Sequence, residues 1–273
     1  MKQRFNFLMT VFTLSILLSC TRTPYSNTNK LYRHQVKEYA KTLTQFPFIV
    51  SNDSIQQPSF LAGTTNFNLR KPSFVIIHHT AQNSCEQTLK TFTTIASKVS
   101  AHYVICKDGT VHHMLNDYLR AYHAGLSRWG NLIDINSASI GIEIDNNGFE
   151  AFTTAQINSL LSLLATLKSK YDIPAANFIG HGDIAPRRKN DPNVHFPWKT
   201  LALQGFGLWY DEPLKDSLPA NFNHLQALRI IGYDVKDSTA AIRSFKRHFM
   251  QDTTKFINHA DKLVLLNLQK KYM

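Results

Sequence analysis

Cysteine is scarce, with three residues in 273 and no C-x-x-C pair. That excludes a disulfide-framework fold and leaves thiol or cysteine-zinc chemistry without a foothold. Internal repeats and low-complexity tracts are missing too, which excludes solenoids, propellers and fibrous arrays. Acidic residues are few, 19 Asp plus Glu against 30 Lys plus Arg. The basic residues are nevertheless scattered, without an aromatic-interleaved ladder, so no nucleic-acid partner is expected and the charge suits an anionic envelope or simple solvation. What is present is 43% hydrophobic residues, with 18 Phe and 10 Tyr. That is enough to bury a real core in one domain with a small appendage.

Lys2 and Arg4 precede a mostly apolar run from Phe5 to Leu18, and Ser19-Cys20 follows. Charge, apolar region and small residues in that order read as a secretory signal over residues 1–19, too short to span a bilayer comfortably. Leu17-Leu18-Ser19-Cys20 resembles the bacterial lipobox. The resemblance implies a lipid on Cys20 and a mature protein held in the cell envelope by that residue. The polar stretch Thr21 to Asn29 reads as a tether, and residues 20–50 as lipidated Cys, tether and N-terminal segment. Cys85 and Cys106 remain, and spacing alone leaves open whether they pair.

From Phe74 the pattern tightens. Phe74-Val75-Ile76-Ile77 is a continuous apolar run behind Pro72, as expected of a strand buried on both faces, and it delivers His78 and His79 at its C-terminal end. These two histidines point to opposite faces, so strand direction alone does not say which one serves a site. His102 to Cys106 and Thr110 to Met114 flank Lys107-Asp108-Gly109 as a hairpin. Ser139 to Asp145 alternates, with Ile140, Ile142 and Ile144 on one face and Gly141, Glu143 and Asp145 on the other. Thr153 and Gln156 form a capping box for a helix running to Lys170, and Asn177 to Gly180 is a short strand leading into His181. After a boundary near Pro219, short amphipathic helices are expected. Leu225, Leu228 and Ile231 stripe one, Ile242, Phe245 and Phe249 the next, and Leu263 and Leu266 a third. Such a module has too little core unless it docks on the rest.

Twelve histidines mean little by number, and context separates them. The segment His181 to Pro192 packs an imidazole, a cation and a carboxylate into one loop, with Lys189 and Asp191 two residues apart. Adding His78 gives two imidazoles and a carboxylate, three ligands for zinc with a fourth position open for water. A carboxylate nearby but not ligating is then needed to take the proton of that water, and Glu143 is the candidate. Asp145, on the same strand face, is a possible decoy. Each residue also has a plain alternative: Glu143 satisfied by a neighbouring cation, Lys189 a solvated loop charge. His102, His112 and His113 read as cross-strand or solvent-facing. His195, His224, His248 and His259 read as structural or exposed.

Phe74 to Ala81, Tyr122-His123-Ala124-Gly125, Ser139 to Glu143, Gly180 through Pro192 and Phe196-Pro197-Trp198-Lys199 together resemble the zinc-dependent type 2 N-acetylmuramoyl-L-alanine amidases, relatives of the peptidoglycan recognition proteins. The resemblance runs from about Phe67 to Trp209. It implies an α/β fold with a mixed central sheet flanked by helices, as a catalytic domain over residues 51–218. It implies His78, His181 and Asp191 as zinc ligands, Glu143 as acid/base, Lys189 as oxyanion stabiliser and His123 as a cleft residue touching substrate. Residues 219–273 are similar to the helical peptidoglycan-binding unit of lipoprotein members, which points to an outer-membrane site facing the periplasm. His79 and Tyr122 depart from residues common in bacterial members. The expected activity is cleavage of the amide between N-acetylmuramic acid and L-alanine in peptidoglycan or its muropeptide fragments. The competing readings are a non-catalytic peptidoglycan-binding lipoprotein and a zinc peptidase acting within the stem peptide.

Overall fold

The computed structural model describes residues 24–44 and 63–273, which fall into two units divided at Ala62/Gly63. The apolar signal run, the lipobox with Cys20 and the Ser51 to Pro58 loop lie outside the described residues. In the first unit α1 (Ser26–Thr44) begins inside the stretch expected to be a tether. Its interior holds no Gly or Pro, and Lys30, Leu31, Arg33, Gln35, Lys37, Glu38 and Ala40 are good helix formers, so nothing local opposes a helix. None of its side chains is buried. No described helix is long and apolar enough to cross a membrane.

The second unit is built on β1 (Phe74–His79), whose apolar run has a physical cause: both faces of this strand are covered. After it come α2 (Cys85–Thr93), the hairpin β2 (Tyr103–Ile105) and β3 (Val111–His113), α3 (Ile135–Ala138) and β4 (Ser139–Ile144). Then α4 (Thr154–Tyr171), β5 (Phe178–Gly180), α5 (His181–Ile184), α6 (Trp198–Leu203), α7 (His224–Ile231), α8 (Ser238–Met250) and α9 (His259–Tyr272) complete the unit. The sheet order is β3-β2-β4-β1-β5. Only β3 runs antiparallel, so the sheet is mixed.

Alternation along the strands sorts side chains into two cores. Val75, Ile77, Ile140, Ile142, Ile144 and Phe178 pack against α4 through Leu160, Leu164 and Leu167. The capping box is present, with the Thr153 side chain accepting from Gln156 N–H and the Gln156 side chain reaching back. On the other face Ile76 and Ile179 pack with Leu228, Phe245, Phe249, Val264, Leu265 and Leu268. The helices beyond Pro219 therefore share one core with the sheet, and Gly63–Met273 clusters as a single compact unit. In α9 Val264, Leu265 and Leu268 join this core, and of the expected pair Leu266 is buried while Leu263 is only half-buried.

Cys85, the first residue of α2, pairs with Cys106 just past β2. With the sulfurs joined to each other, their proximity to His112 does not make a ligand set. The pair ties a nine-residue helix, in which only Thr88 is buried, to the sheet.

Candidate active site

His78 shares the parity of Ile76 and His79 that of Ile77, so the two imidazoles leave β1 on opposite faces. Register places His78 beside Glu143 on the adjacent parallel strand. His181 follows directly on β5, the other neighbour of β1. Three strand ends thus deliver His78, Glu143 and His181 to the carboxyl edge of the parallel sheet, where ligands of open α/β sheets bind.

The fourth member arrives by a loop. Gly182 N–H donates to the Asp191 carbonyl at 2.6 Å, closing the loop that carries Lys189. A side chain at Gly182 would meet Arg247 at 2.8 Å and the Asp191 carbonyl oxygen at 3.3 Å, so this position admits only glycine without displacement. The result brings Asp191 Oδ2 to 3.1 Å from His78 Nδ1 and 3.0 Å from His181 Nδ1, with the two Nδ1 atoms 2.9 Å apart. All three side chains are buried.

The protons on these rings can be placed. His181 Nε2 faces the Ala124 carbonyl at 3.1 Å, an acceptor only, so Nε2 donates and Nδ1 carries a lone pair. Ser139 Oγ donates to the Ile135 carbonyl at 2.6 Å, and its single proton is thereby used. It must accept from His123 Nε2 at 3.2 Å, leaving His123 Nδ1 to accept from His78 Nε2 at 3.0 Å. His78 Nδ1 then carries a lone pair as well. Three electron pairs converge where neutral rings offer no hydrogen, an arrangement stable only around a cation. A proton is a poor filler, because burial and the charge of His181 press the His78 imidazole down to about 4. Burial pushes the Asp191 carboxyl up, but hydrogen bonds and charge from His181 and His78 carry it well below the usual range. The donor set of two nitrogens and one oxygen suits zinc.

Glu143 stands beside this cluster without joining it, Oε1 lying 3.9 Å from His78 Nδ1. Its Oε2 is buried without a hydrogen-bond partner among the described residues. Burial, helped by the charge of Asp191, pushes the Glu143 carboxyl up to about 8, and Lys189 pulls against that shift. Lys189 itself is exposed at the mouth of the loop, and its charge reaches His78 and Glu143. Asp145 is buried with its Oδ1 lacking a hydrogen-bond partner among the described residues, and burial pushes its carboxyl up. His123, expected in the cleft, is buried with both ring nitrogens bonded inside the protein. His102, expected on a strand surface, is fully buried too, between the Leu119 carbonyl and the Gly141 N–H. His79 is buried on the other face against Gly148.

The family Amidase_2, N-acetylmuramoyl-L-alanine amidase, matches residues 68–194, a span that contains all of these site residues. The chain is 32% identical over 206 residues to the N-acetylmuramoyl-L-alanine amidase AmiD of Escherichia coli strain K12, covering 64% of this chain and 74% of that one. It belongs to the N-acetylmuramoyl-L-alanine amidase family. The similarity to the 1,6-anhydro-N-acetylmuramyl-L-alanine amidase AmpD of Salmonella typhimurium is 40% over 101 residues and spans about half of that relative, 54%. Among solved structures, the E. coli AmiD complex with an anhydro-muramyl peptide superposes with a TM-score of 0.67 at 27% identity, covering 82% of this chain and 97% of that one. AmpDh3 of Pseudomonas aeruginosa superposes at 0.68 with 30% identity, covering 80% and 98%. The mixed sheet flanked by helices is thus the type 2 amidase fold, and this member of the family is a hydrolase of that class.

Two participants escaped the sequence. Asp183, two residues after His181, accepts from Gly180 N–H, Tyr233 Oη and His248 Nδ1, with Ser244 Oγ 3.2 Å away and donating to the Gly182 carbonyl at 2.8 Å. Asn136 accepts from the N–H groups of His123 and Ala124. A histidine on the apolar stripe of α8 was a readable signal for the first, and nothing local marked the second.

Proposed function

We propose that this amidase works with zinc held by His78 Nδ1, His181 Nδ1 and Asp191 Oδ2, and hydrolyses the bond between the lactyl group of N-acetylmuramic acid and L-alanine in peptidoglycan-derived muropeptides. The observation that carries the reading is the convergence of three unshared electron pairs next to an unpaired buried carboxyl. Zinc, when bound, acidifies a water molecule and polarises the scissile carbonyl. Glu143 takes the proton of the attacking water and returns it to the amine nitrogen that departs. Burial raises the proton affinity of this carboxyl, a direction that suits a group that must hold and return a proton. Lys189, through its ammonium, offsets the negative charge that develops on the carbonyl oxygen. The relatives AmiD and AmpDh3 have been solved with anhydromuramyl peptides, which supports the muropeptide class of substrate.

The signal order and lipobox-like Leu17 to Cys20 support a lipid-anchored protein in the cell envelope, and the resemblance of residues 219–273 to lipoprotein members favours the outer membrane, facing the periplasm. Cys20→Ser then yields protein that no longer fractionates with membranes, whereas persistent association means the apolar run itself is the anchor. For the reaction, muropeptides digested with the purified enzyme and weighed by mass spectrometry give free stem peptide plus sugar. Cut peptides would indicate a peptidase instead, and intact material a binding protein.

A further inference from the structure

We propose that one dipeptide, His123–Ala124, orients both metal-facing imidazoles, and that Asn136 is the positioning residue that holds it there. The inference rests on the zinc reading above and concerns residues that do not touch the ion. His123 meets His78 through its ring, Nδ1 to Nε2 at 3.0 Å, and Ala124 meets His181 through its carbonyl at 3.1 Å. Adjacent residues thus accept from the outer nitrogen of each ligand ring, and each contact leaves the inner nitrogen unprotonated toward Asp191. Outer partners of this kind fix the tautomer and rotation of a ligating histidine.

Nothing in regular structure holds such a dipeptide, since residues 121–134 form no helix or strand of their own. Its support is a side chain. Asn136 Oδ1 accepts from His123 N–H at 3.1 Å and from Ala124 N–H at 2.9 Å. Asn136 is itself buried, on the short helix α3 whose N-cap is Asp134. Two further features fix the ring. Ser139 Oγ accepts from its Nε2, and Gly141 leaves room for its face, because a Cβ there would lie 2.4 Å from His123 Cγ. The chain of donors runs from His78 through His123 and Ser139 to the Ile135 carbonyl, also on α3. One four-residue helix thereby carries the proton pattern of the site. His123 is a positioning residue by this account, since the ring nitrogens that could reach a substrate are both used internally.

The test is zinc affinity, measured by competition with a chromophoric chelator on the purified full-length protein. Asn136→Ala and His123→Ala each weaken zinc about tenfold to a hundredfold, the usual effect of losing an outer-shell partner. Asn136→Asp keeps an Oδ acceptor for both N–H groups and stays within about threefold of the parent. A parallel measurement needs no variant. In the 15N-labelled zinc protein, a scalar coupling is expected between His78 Nε2 and His123 Nδ1 across the hydrogen bond, with the His123 proton on Nε2. A His123 proton on Nδ1, or zinc affinity within threefold of the parent in His123→Ala or Asn136→Ala, overturns the proposal. So does Asn136→Asp as weak as Asn136→Ala. A parent protein that binds no zinc would instead sink the metal reading itself.

Discussion

Asp191 and Asp183 are both buried carboxylates at the two ends of one loop, and both face imidazoles. Around Asp183 both oxygens are engaged: a backbone N–H, a tyrosine hydroxyl and His248 donate to them, and Ser244 Oγ, which donates to the Gly182 carbonyl at 2.8 Å, lies 3.2 Å away. Trp198 stacks on His248 with ring centroids 3.9 Å apart. Burial pushes the Asp183 carboxyl up, but the charge and hydrogen bond of His248 leave it below its ordinary range. Around Asp191 the imidazoles have spent their protons elsewhere, on Ala124 and His123, and turn lone pairs inward. The same residue types therefore make a closed structural clamp in one place and, eight residues further along the chain, a His-His-Asp cluster that could hold a cation. What separates them is the destination of the second imidazole proton. The clamp also explains why the C-terminal helices belong to the catalytic unit. Ser244 and His248 of α8 and Tyr233 before it grip the residues that follow His181.

The comparison is most severely strained by exchanging the roles. His181→Ala abolishes zinc binding and activity, while His248→Ala keeps one zinc per chain and loses stability; atomic absorption and a melting curve separate the two. Glu143→Ala lowers the catalytic constant by about a hundredfold to ten-thousandfold and retains zinc, as a proton carrier outside the ligand set should. A rate near that of the parent would hand the task to another group. Lys189→Ala lowers the catalytic constant by about a hundredfold to a thousandfold with little change in KM, and Lys189→Arg restores little of it. A loss under about threefold returns Lys189 to ordinary surface charge. Asp183→Ala strands His248 in the interior and costs about 3–5 kcal/mol, read from a denaturation midpoint. An unchanged midpoint would mean the clamp is ornamental to folding.

A further effect depends on pH. Glu143 has a raised proton affinity in the metal-free fold, up to about 8. Folding then favours its protonated form, so its contribution is neutral below the unfolded value of about 4.5 and becomes increasingly unfavourable as pH rises toward 8. Glu143→Gln accordingly stabilises the metal-free protein at pH 8 and leaves its melting temperature nearly unchanged at pH 4. Equal curves at both values would show that the carboxyl is not desolvated.

Much of the scaffold was legible because its signals are local. The buried run at Phe74, the alternation from Ser139 and the Thr153–Gln156 box each state an element through contiguous residues, and each element is present. Periodicity and spacing gave the ligand set only as residue types on a strand and a loop, and the family resemblance was needed to choose His78 over His79; in the fold, His78 faces Asp191 because of the side of the sheet on which the loop closes. α1 was missed because polar residues at its start look like a tether when no buried stripe is present. α2 was missed because it buries only Thr88. Asn136 and Ser139 acquire meaning only when a distant dipeptide folds against them, which no spacing rule captures.

The central claim is that Asp191 and Asp183, alike in burial and in imidazole partners, differ in metal binding. Zinc per chain, measured by inductively coupled plasma mass spectrometry on Asp191→Ala and Asp183→Ala purified side by side, addresses it directly. The account predicts about one zinc in Asp183→Ala and essentially none in Asp191→Ala. Full zinc occupancy in Asp191→Ala would contradict it.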